Sequence, residues 1–261
     1  MTELIKKRAI LKSKLRNRKR VFGAWTSLSH PSITEIFTRI GVDFVGIDIE
    51  HSTISQEQSQ RIIAACQGNE TLCLPRIASH NMEMIKRLLD SGADGIIAPT
   101  VSTTDEVEKL ISWCKYSPKG QRGFGIGRAQ GYGFDFEKYT SEWNKTGSLI
   151  VQIESIKGVE NIDKILDYED IDGAMIGPYD ISGSLGIPGQ LDHPKVLEAS
   201  KVVIASCAKY SKACGTQIID PNRDNIETAF SNGYTFIILS SDVFLLWKWS
   251  EKMQNMISQF K

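Results

Sequence analysis

Histidine and cysteine are scarce in this 261-residue chain, at four and five residues. Cys66, Cys73, Cys114, Cys207 and Cys214 are odd in number, form no Cys-x-x-Cys pair and sit inside apolar patterns. They read as small buried hydrophobes, which excludes a disulfide framework and a thiolate zinc site. Net charge is missing too: 31 basic and 31 acidic residues cancel, leaving no global field to hold nucleic acid or an anionic membrane. No apolar stretch approaches the roughly 20 residues of a membrane span. The charged N-terminus lacks the apolar core of a secretion signal, so a cytoplasmic protein is expected. Low-complexity tracts and linkers are also absent. With 41% hydrophobic and 24% charged residues, the chain reads as one globular domain over 1–261.

One charge cluster is present. Lys6, Lys7, Arg8, Lys12, Lys14, Arg16, Arg18, Lys19 and Arg20 interleave with Ile5, Ile10, Leu11 and Leu15. Residues 1–20 are therefore expected to form a basic amphipathic helix with a solvated charged face, in preference to a polyanion site.

Apolar runs and helical periodicities then alternate eight times. Strands are expected at 21–26, 44–49, 72–77, 95–100, 149–154, 173–176, 215–219 and 235–239. Helices are expected at 31–40, 56–67, 81–91, 104–115, 159–166, 194–210, 223–231 and 244–258. Ser29 and Ser55 are candidate N-caps, Thr103 or Thr104 precedes Glu106 and Glu108, and Gly41, Gly68, Gly92 and Gly233 follow helix ends as left-handed residues would. Short, continuously apolar strands separated by single helices need parallel pairing and burial on both faces. Eight such units suit an α/β fold closed as a (β/α)8 barrel. An open doubly wound sheet would usually carry a Gly-rich dinucleotide turn after its first strand, where this chain has Trp25-Thr26-Ser27-Leu28-Ser29.

In a barrel the carboxyl ends of the strands share one opening, and polar residues collect at those ends. The second strand ends in Asp48, Glu50 and His51; the third carries Arg76; the fifth ends in Gln152 and Glu154; the sixth runs into Gly177-Pro178-Tyr179-Asp180. Gln217 and Asp220 follow on the seventh, with Ser240, Ser241 and Asp242 on the eighth. Glu154 and Asp180 lie one βα unit apart, which outlines an oxygen-ligand site for Mg²⁺ or Mn²⁺. The competing structural reading has Glu154 capping the next helix and Asp180 closing a turn. Arg76, in a buried strand, must meet an anion, either Glu50 or a substrate carboxylate or enolate. His51 is the natural general base, oriented by Asp48 or Glu50. His30, His80 and His193 stand beside helix starts and suit capping or solvated roles. The glycine-rich segment 120–133 suits either a lid carrying Arg122 or Arg128 to a ligand, or a subunit contact.

Five motifs taken together carry a resemblance: Ile47-Asp48-Ile49-Glu50-His51, Pro75-Arg76, Lys86-x-x-Leu-Asp-x-Gly-Ala, Gln152-Ile153-Glu154-Ser155, and Ile176-Gly177-Pro178-Tyr179-Asp180-Ile181-Ser182-Gly183-Ser184-Leu185-Gly186. The chain resembles the HpcH/HpaI aldolase family of metal-dependent class II pyruvate aldolases over nearly its whole length. The resemblance implies a lyase that cleaves a 4-hydroxy-2-oxo acid to pyruvate and an aldehyde, or runs the reverse addition. Glu154 and Asp180 would ligate Mg²⁺, Mn²⁺ or Co²⁺, with pyruvate and water completing the shell. His51 would be the acid/base acting through water and held by Asp48, Arg76 would bind the pyruvate keto oxygen and stabilise the enolate, and Gln152 would lie beside the metal. Gly177, Pro178 and Tyr179 would line the substrate with Asp180.

The same resemblance implies a homo-oligomer, usually a hexamer built from dimers, whose last helix (244–261) is exchanged between subunits. Two departures stand out. Tyr179 occupies a position held by a small residue in well-characterised members, and segment 120–133 is more compact and glycine-rich than the lid of the aromatic-degradation aldolases. Both favour a sugar-derived or otherwise hydroxylated aldehyde as acceptor. A citrate-forming or acyl-thioester lyase of the same superfamily is the main rival, and a non-catalytic barrel scaffold the second. The role of Glu50 is left open.

Overall fold

Helix α1 (Thr2–Arg16) leads into eight strands, β1 Val21–Thr26, β2 Phe44–Asp48, β3 Leu72–Arg76, β4 Gly95–Ala98, β5 Ser148–Ile153, β6 Gly173–Ile176, β7 Ala213–Ile218 and β8 Phe236–Leu239, in a computed structural model that describes residues 2–261. Between them run α2 (Pro31–Thr38), α3 (Gln56–Gly68), α4 (Met82–Asp90), α5 (Thr104–Cys114), α6 (Phe136–Thr146), α7 (Ile156–Glu160), α8 (Ile162–Leu166), α9 (Pro178–Ser184), α10 (Pro194–Lys209) and α11 (Arg223–Ser231). Helix α12 (Asp242–Ser258) follows the last strand. Each strand pairs in parallel with its sequence neighbour, and β8 returns to β1 with Val21 opposite Phe236, closing the barrel.

Alternation along each strand decides what the barrel holds. Val21, Trp25, Phe44, Leu72, Leu74, Ile97, Ile150, Met175, Phe236 and Ile238 form the inner cluster, while intervening residues such as Val45, Cys73, Ile96 and Val151 pack outward under the helices. Large rings inside are matched by glycine: a Cβ on Gly215 would lie 1.8 Å from the Phe236 ring. The same period of two carries Asp48, Arg76, Gln152 and Glu154 to the inner side at the upper strand ends.

The lower end is closed by α1, which ends at Arg16, short of the expected 1–20, and only part of the expected basic face is solvated: Lys6, Lys19 and Arg20 are exposed, while Arg8 and Lys12 are buried. Ile5, Arg8, Leu11, Lys12 and Leu15 share one face at three-to-four spacing, and that face is buried. Its cations meet a ring of aspartates. Asp43, Asp94 and Asp172 each stand immediately before an even-numbered strand, and each accepts a backbone N–H from the strand before it, from Phe22 at 2.9 Å, Cys73 at 3.0 Å and Leu149 at 2.9 Å. Thr235 takes the fourth place, its Oγ1 accepting from Cys214 N at 2.9 Å. Helix α1 then brings Lys14 to Asp43 (2.5 Å), Arg8 to Asp94 (3.3 Å), and Lys12 (2.7 Å) and Arg16 (2.8 Å) to Asp172. Buried carboxylates need counterions, and the basic segment supplies them.

Of the two readings of the glycine-rich segment, the lid does not hold: the segment does not cover the strand ends. Arg122 is buried between Asp90 (2.9 Å) and Tyr139 Oη (3.2 Å), with the Tyr116 and Trp143 rings against it. Arg128 donates to Gln67 Oε1 (2.5 Å) and to the Ser91 carbonyl (3.1 Å). These partners lie at the C-terminal ends of α3 and α4, the end of the barrel opposite the carboxylates, so neither arginine is free to reach a ligand there. The segment continues through a 3-10 turn (Arg128–Gly133) into α6, which buries Tyr139, Trp143 and Thr146.

Capping explains the remaining boundaries. Ser55 and Thr103 form capping boxes with Gln58 and Glu106, but His30 rather than Ser29 caps α2. Gly41, Gly92 and Gly233 adopt positive φ as expected, whereas α3 runs through Gly68 and Glu70 (φ 56°) makes the left-handed turn. Asp242 proves structural: its carboxylate accepts from Thr26 Oγ1 (2.8 Å) and from the N–H groups of Ser27 and Leu28 (both 2.9 Å), pinning the start of α12 to the loop after β1. Among the described residues no helix is long and apolar enough to cross a membrane.

Candidate active site

Asp48 and Arg76 are the last residues of β2 and β3 and stand opposite each other in register. Arg76 Nη2 and Nε approach Asp48 Oδ1 at 2.8 and 3.1 Å, and Nη1 lies 3.2 Å from Glu50 Oε2. The guanidinium also lies over the Trp25 ring, 5.1 Å from its centroid. Clamped in this way, Arg76 has a fixed plane: its Nε–H donates to Asp48, while its two Nη groups stand at ion-pair distance from Asp48 and Glu50.

The turn after β2 is tied to the same carboxylate. Asp48 Oδ1 accepts from the His51 backbone N–H at 3.1 Å, and Ser52 Oγ donates to the Asp48 carbonyl. Asp48 thus holds the main chain of His51. The neighbour of the imidazole is Glu50, whose Oε2 lies 3.8 Å from Nε2, and the ring is 68% exposed. Of the two orienters expected from the sequence, Glu50 stands beside the ring and Asp48 beside the backbone. Burial pushes the Glu50 carboxyl above its ordinary range, against the pull of Arg76 and His51.

Glu154 follows β5 and points inward. Its Oε1 accepts from Gln152 Nε2 and its Oε2 from the Thr100 N–H, both at 2.7 Å. Ser155, not Glu154, caps α7, which removes the capping explanation for Glu154. Asp180 sits in the first turn of α9, two residues after Pro178. The space between the two carboxylates is held open by Gly177: a Cβ there would stand 3.1 Å from Glu154 Oε1 and 3.3 Å from Asp180 Oδ2. Burial, with Glu50 and Asp180 nearby, pushes the Glu154 carboxyl up to about 7 against the Thr100 hydrogen bond and Arg76.

These features fit a hard divalent cation. Several carboxylates crowd a partly buried space, Gln152 Oε1 has no hydrogen-bond partner, and a residue without Cβ keeps a cradle open between two anionic oxygens. Among the described residues no group of three or more His, Cys, Asp or Glu side chains is placed to hold a metal ion. A pair of carboxylates leaves the remaining coordination of such an ion to substrate and water. Gly177→Ala is expected to push the Glu154 carboxylate off its partners and weaken Mn²⁺ binding by about 10- to 100-fold while leaving the folded signal intact. Calorimetric titration with circular dichroism of the same sample checks it.

Tyr179, beside Asp180, is 61% exposed at the rim. Gln217 turns to the Ser240 carbonyl (3.2 Å), and Ser240 Oγ donates to the Ile219 carbonyl (2.7 Å). One residue of the site was not legible in the sequence. Thr100 holds Glu154 only because its backbone is left-handed (φ 54°), which nothing about a threonine announces. His80 looks like a helix-start residue, yet Asn81 caps α4.

Residues 21–248 match the model of the HpcH/HpaI aldolase/citrate lyase family. The chain belongs to this family. The match takes in every strand and every site residue of the barrel, and leaves out α1. Among HpcH/HpaI relatives, the hydroxypyruvate/pyruvate aldolase of Roseobacter denitrificans is 31% identical over 237 residues, 90% of this chain and 91% of that one. The 2-keto-3-deoxy-L-rhamnonate aldolase of Escherichia coli is 32% identical over 254 residues, 96% of this chain and 92% of that one. A solved HpcH/HpaI aldolase/citrate lyase family protein of Burkholderia cenocepacia superposes with a TM-score of 0.89 at 27% identity, covering 95% of this chain and 99% of that one.

Proposed function

We propose that this protein is a divalent-metal-dependent aldolase that cleaves a 4-hydroxy-2-oxo acid to pyruvate and an aldehyde and also runs the reverse addition. The observation that carries the reading is the pairing of a clamped Arg76 guanidinium with the Glu154–Gly177–Asp180 cradle at one end of the barrel. Glu154 and Asp180 would hold Mg²⁺, Mn²⁺ or Co²⁺, with Gln152 beside it, and a bound cation supplies Lewis-acid stabilisation of negative charge developing on a 2-oxo acid.

The protein's own groups account for the rest. Arg76 offers Nη N–H donors to the oxygen on which enolate charge collects, from a guanidinium already held in place by Asp48 and Glu50. His51, exposed at the mouth, accepts the proton of the 4-hydroxyl through water. The bond between C3 and C4 then breaks, its electrons pass to the C2 oxygen, and the aldehyde departs. Return of a proton to C3 yields pyruvate. Glu50 stands between Arg76 and the imidazole of His51.

Tyr179 at the rim, with an aldolase of a deoxy sugar acid among the relatives, supports a hydroxylated aldehyde as acceptor. The exposed face of α12, with Leu245, Leu246, Trp247 and Trp249, supports exchange of this helix between copies in a homo-oligomer, for which a hexamer is the proposed state. A panel of 4-hydroxy-2-oxo acids, assayed for pyruvate with a coupled dehydrogenase, tests the reading. Pyruvate is expected with added Mg²⁺, Mn²⁺ or Co²⁺, lost with chelator and restored by metal. No pyruvate from any substrate, turnover indifferent to chelation, or citrate formation alone would sink it.

A further inference from the structure

The peptide joining Pro99 and Thr100 lies between two side chains. Its carbonyl is 2.7 Å from His80 Nε2, and its N–H donates to Glu154 Oε2, also at 2.7 Å. A carbonyl only accepts, so His80 carries its proton on Nε2 in this arrangement. A peptide is planar, and fixing its oxygen therefore fixes the direction of its N–H. Proline on one side removes a donor and restricts the chain, while Thr100 on the other is left-handed at φ 54°, a conformation that costs a β-branched residue free energy. The peptide after Thr100 is held by the Val101 N–H, which donates to the Gln152 carbonyl at 3.1 Å, and the peptide before it is held by His80. Hydrogen bonds in series through one peptide also polarise each other, which strengthens the Thr100 donor.

We propose that His80 is a positioning residue for the metal site: by holding the Pro99 carbonyl it aims the Thr100 N–H at Glu154 Oε2, leaving Oε1 directed at the cradle by Gly177 and Asp180. The other histidines show no such link. His30 and His193 cap α2 and α10 through Nδ1, and His51 stands at the mouth.

The inference rests on the metal-dependent reading, and the experiment separates the two. Mn²⁺ is titrated calorimetrically into the full-length wild type and into His80→Ala, His80→Phe and His80→Gln. The alanine and phenylalanine variants, the second of which keeps the ring volume, are expected to bind Mn²⁺ about tenfold more weakly. Glutamine, whose amide reaches as Nε2 does, is expected to recover affinity to within about threefold of wild type. In turnover, the Mn²⁺ concentration for half-maximal rate should rise with the dissociation constant while kcat at saturating Mn²⁺ stays close to wild type. Wild-type affinity in both the alanine and phenylalanine variants would overturn the inference, as would a glutamine variant as weak as alanine, or a fall in kcat at saturation with unchanged affinity. A wild type that binds no Mn²⁺ would overturn the metal reading and this inference together.

Discussion

Arg76→Ala is expected to lower kcat/KM for pyruvate release by about 10³-fold or more, the scale of losing a preorganised donor to developing oxyanion charge. The loss should fall chiefly on kcat, because the enolate exists only after the carbon–carbon bond breaks. Stability should suffer as well. The same guanidinium neutralises Asp48 and Glu50, and stripping a buried partner from a carboxylate typically costs about 3–5 kcal/mol. Arg76→Lys separates the two effects: a point charge restores part of the neutralisation but cannot hold Asp48 and Glu50 and also present planar donors to substrate. It should recover much of the melting temperature and little of the rate. Steady-state kinetics beside thermal melts of the three proteins decide the matter, and an alanine variant within tenfold of wild type would refute the assigned role.

The largest purely structural effect is expected at the other end of the barrel. Asp172 is fully buried and takes Lys12 at 2.7 Å, Arg16 at 2.8 Å and the Leu149 N–H at 2.9 Å. Burial alone would push its carboxyl up, yet Lys12, Lys115 and Arg16 hold it below the ordinary range. Lys12 is itself brought down to about 8, because desolvation outweighs the attraction of Asp172. Both partners are costly to bury, and each is tolerable only with the other. Asp172→Asn should therefore cost about 3–5 kcal/mol and lower the melting temperature by roughly 10 °C for a chain of this size. Catalysis per folded molecule at low temperature should remain, since the strand ends are untouched. Asp163→Asn, which breaks an exposed pair with Lys209, should cost less than about 1 kcal/mol. Equal melting temperatures for the two variants would show that the lower ring of charges contributes nothing special.

Much of this architecture is visible in the sequence for a simple reason. Strands buried on both faces read as apolar runs, and the residues that break each run at its end are the ones the barrel turns inward: Asp48, Arg76, Gln152 and Glu154. What stays hidden depends on contacts across long separations. The basic segment looks solvated because its partners lie at Asp43, Asp94 and Asp172, and no local pattern connects them. Segment 120–133 reads as a lid because glycine signals freedom, whereas Arg122 and Arg128 are fixed by Asp90, Gln67 and Ser91. The task of His80 depends on Pro99, nineteen positions away and on another loop.

The ring of aspartates also sets an order of events. The cations of α1 reach partners 29, 86 and 160 positions downstream. A growing chain makes this helix before any strand of the barrel and cannot seat it fully until the start of β6 has been synthesised. Docking of α1 and closure of the barrel are therefore coupled: the helix waits with its charges in water, and among the last contacts it gains is the one that seals the floor beneath β5 and β6.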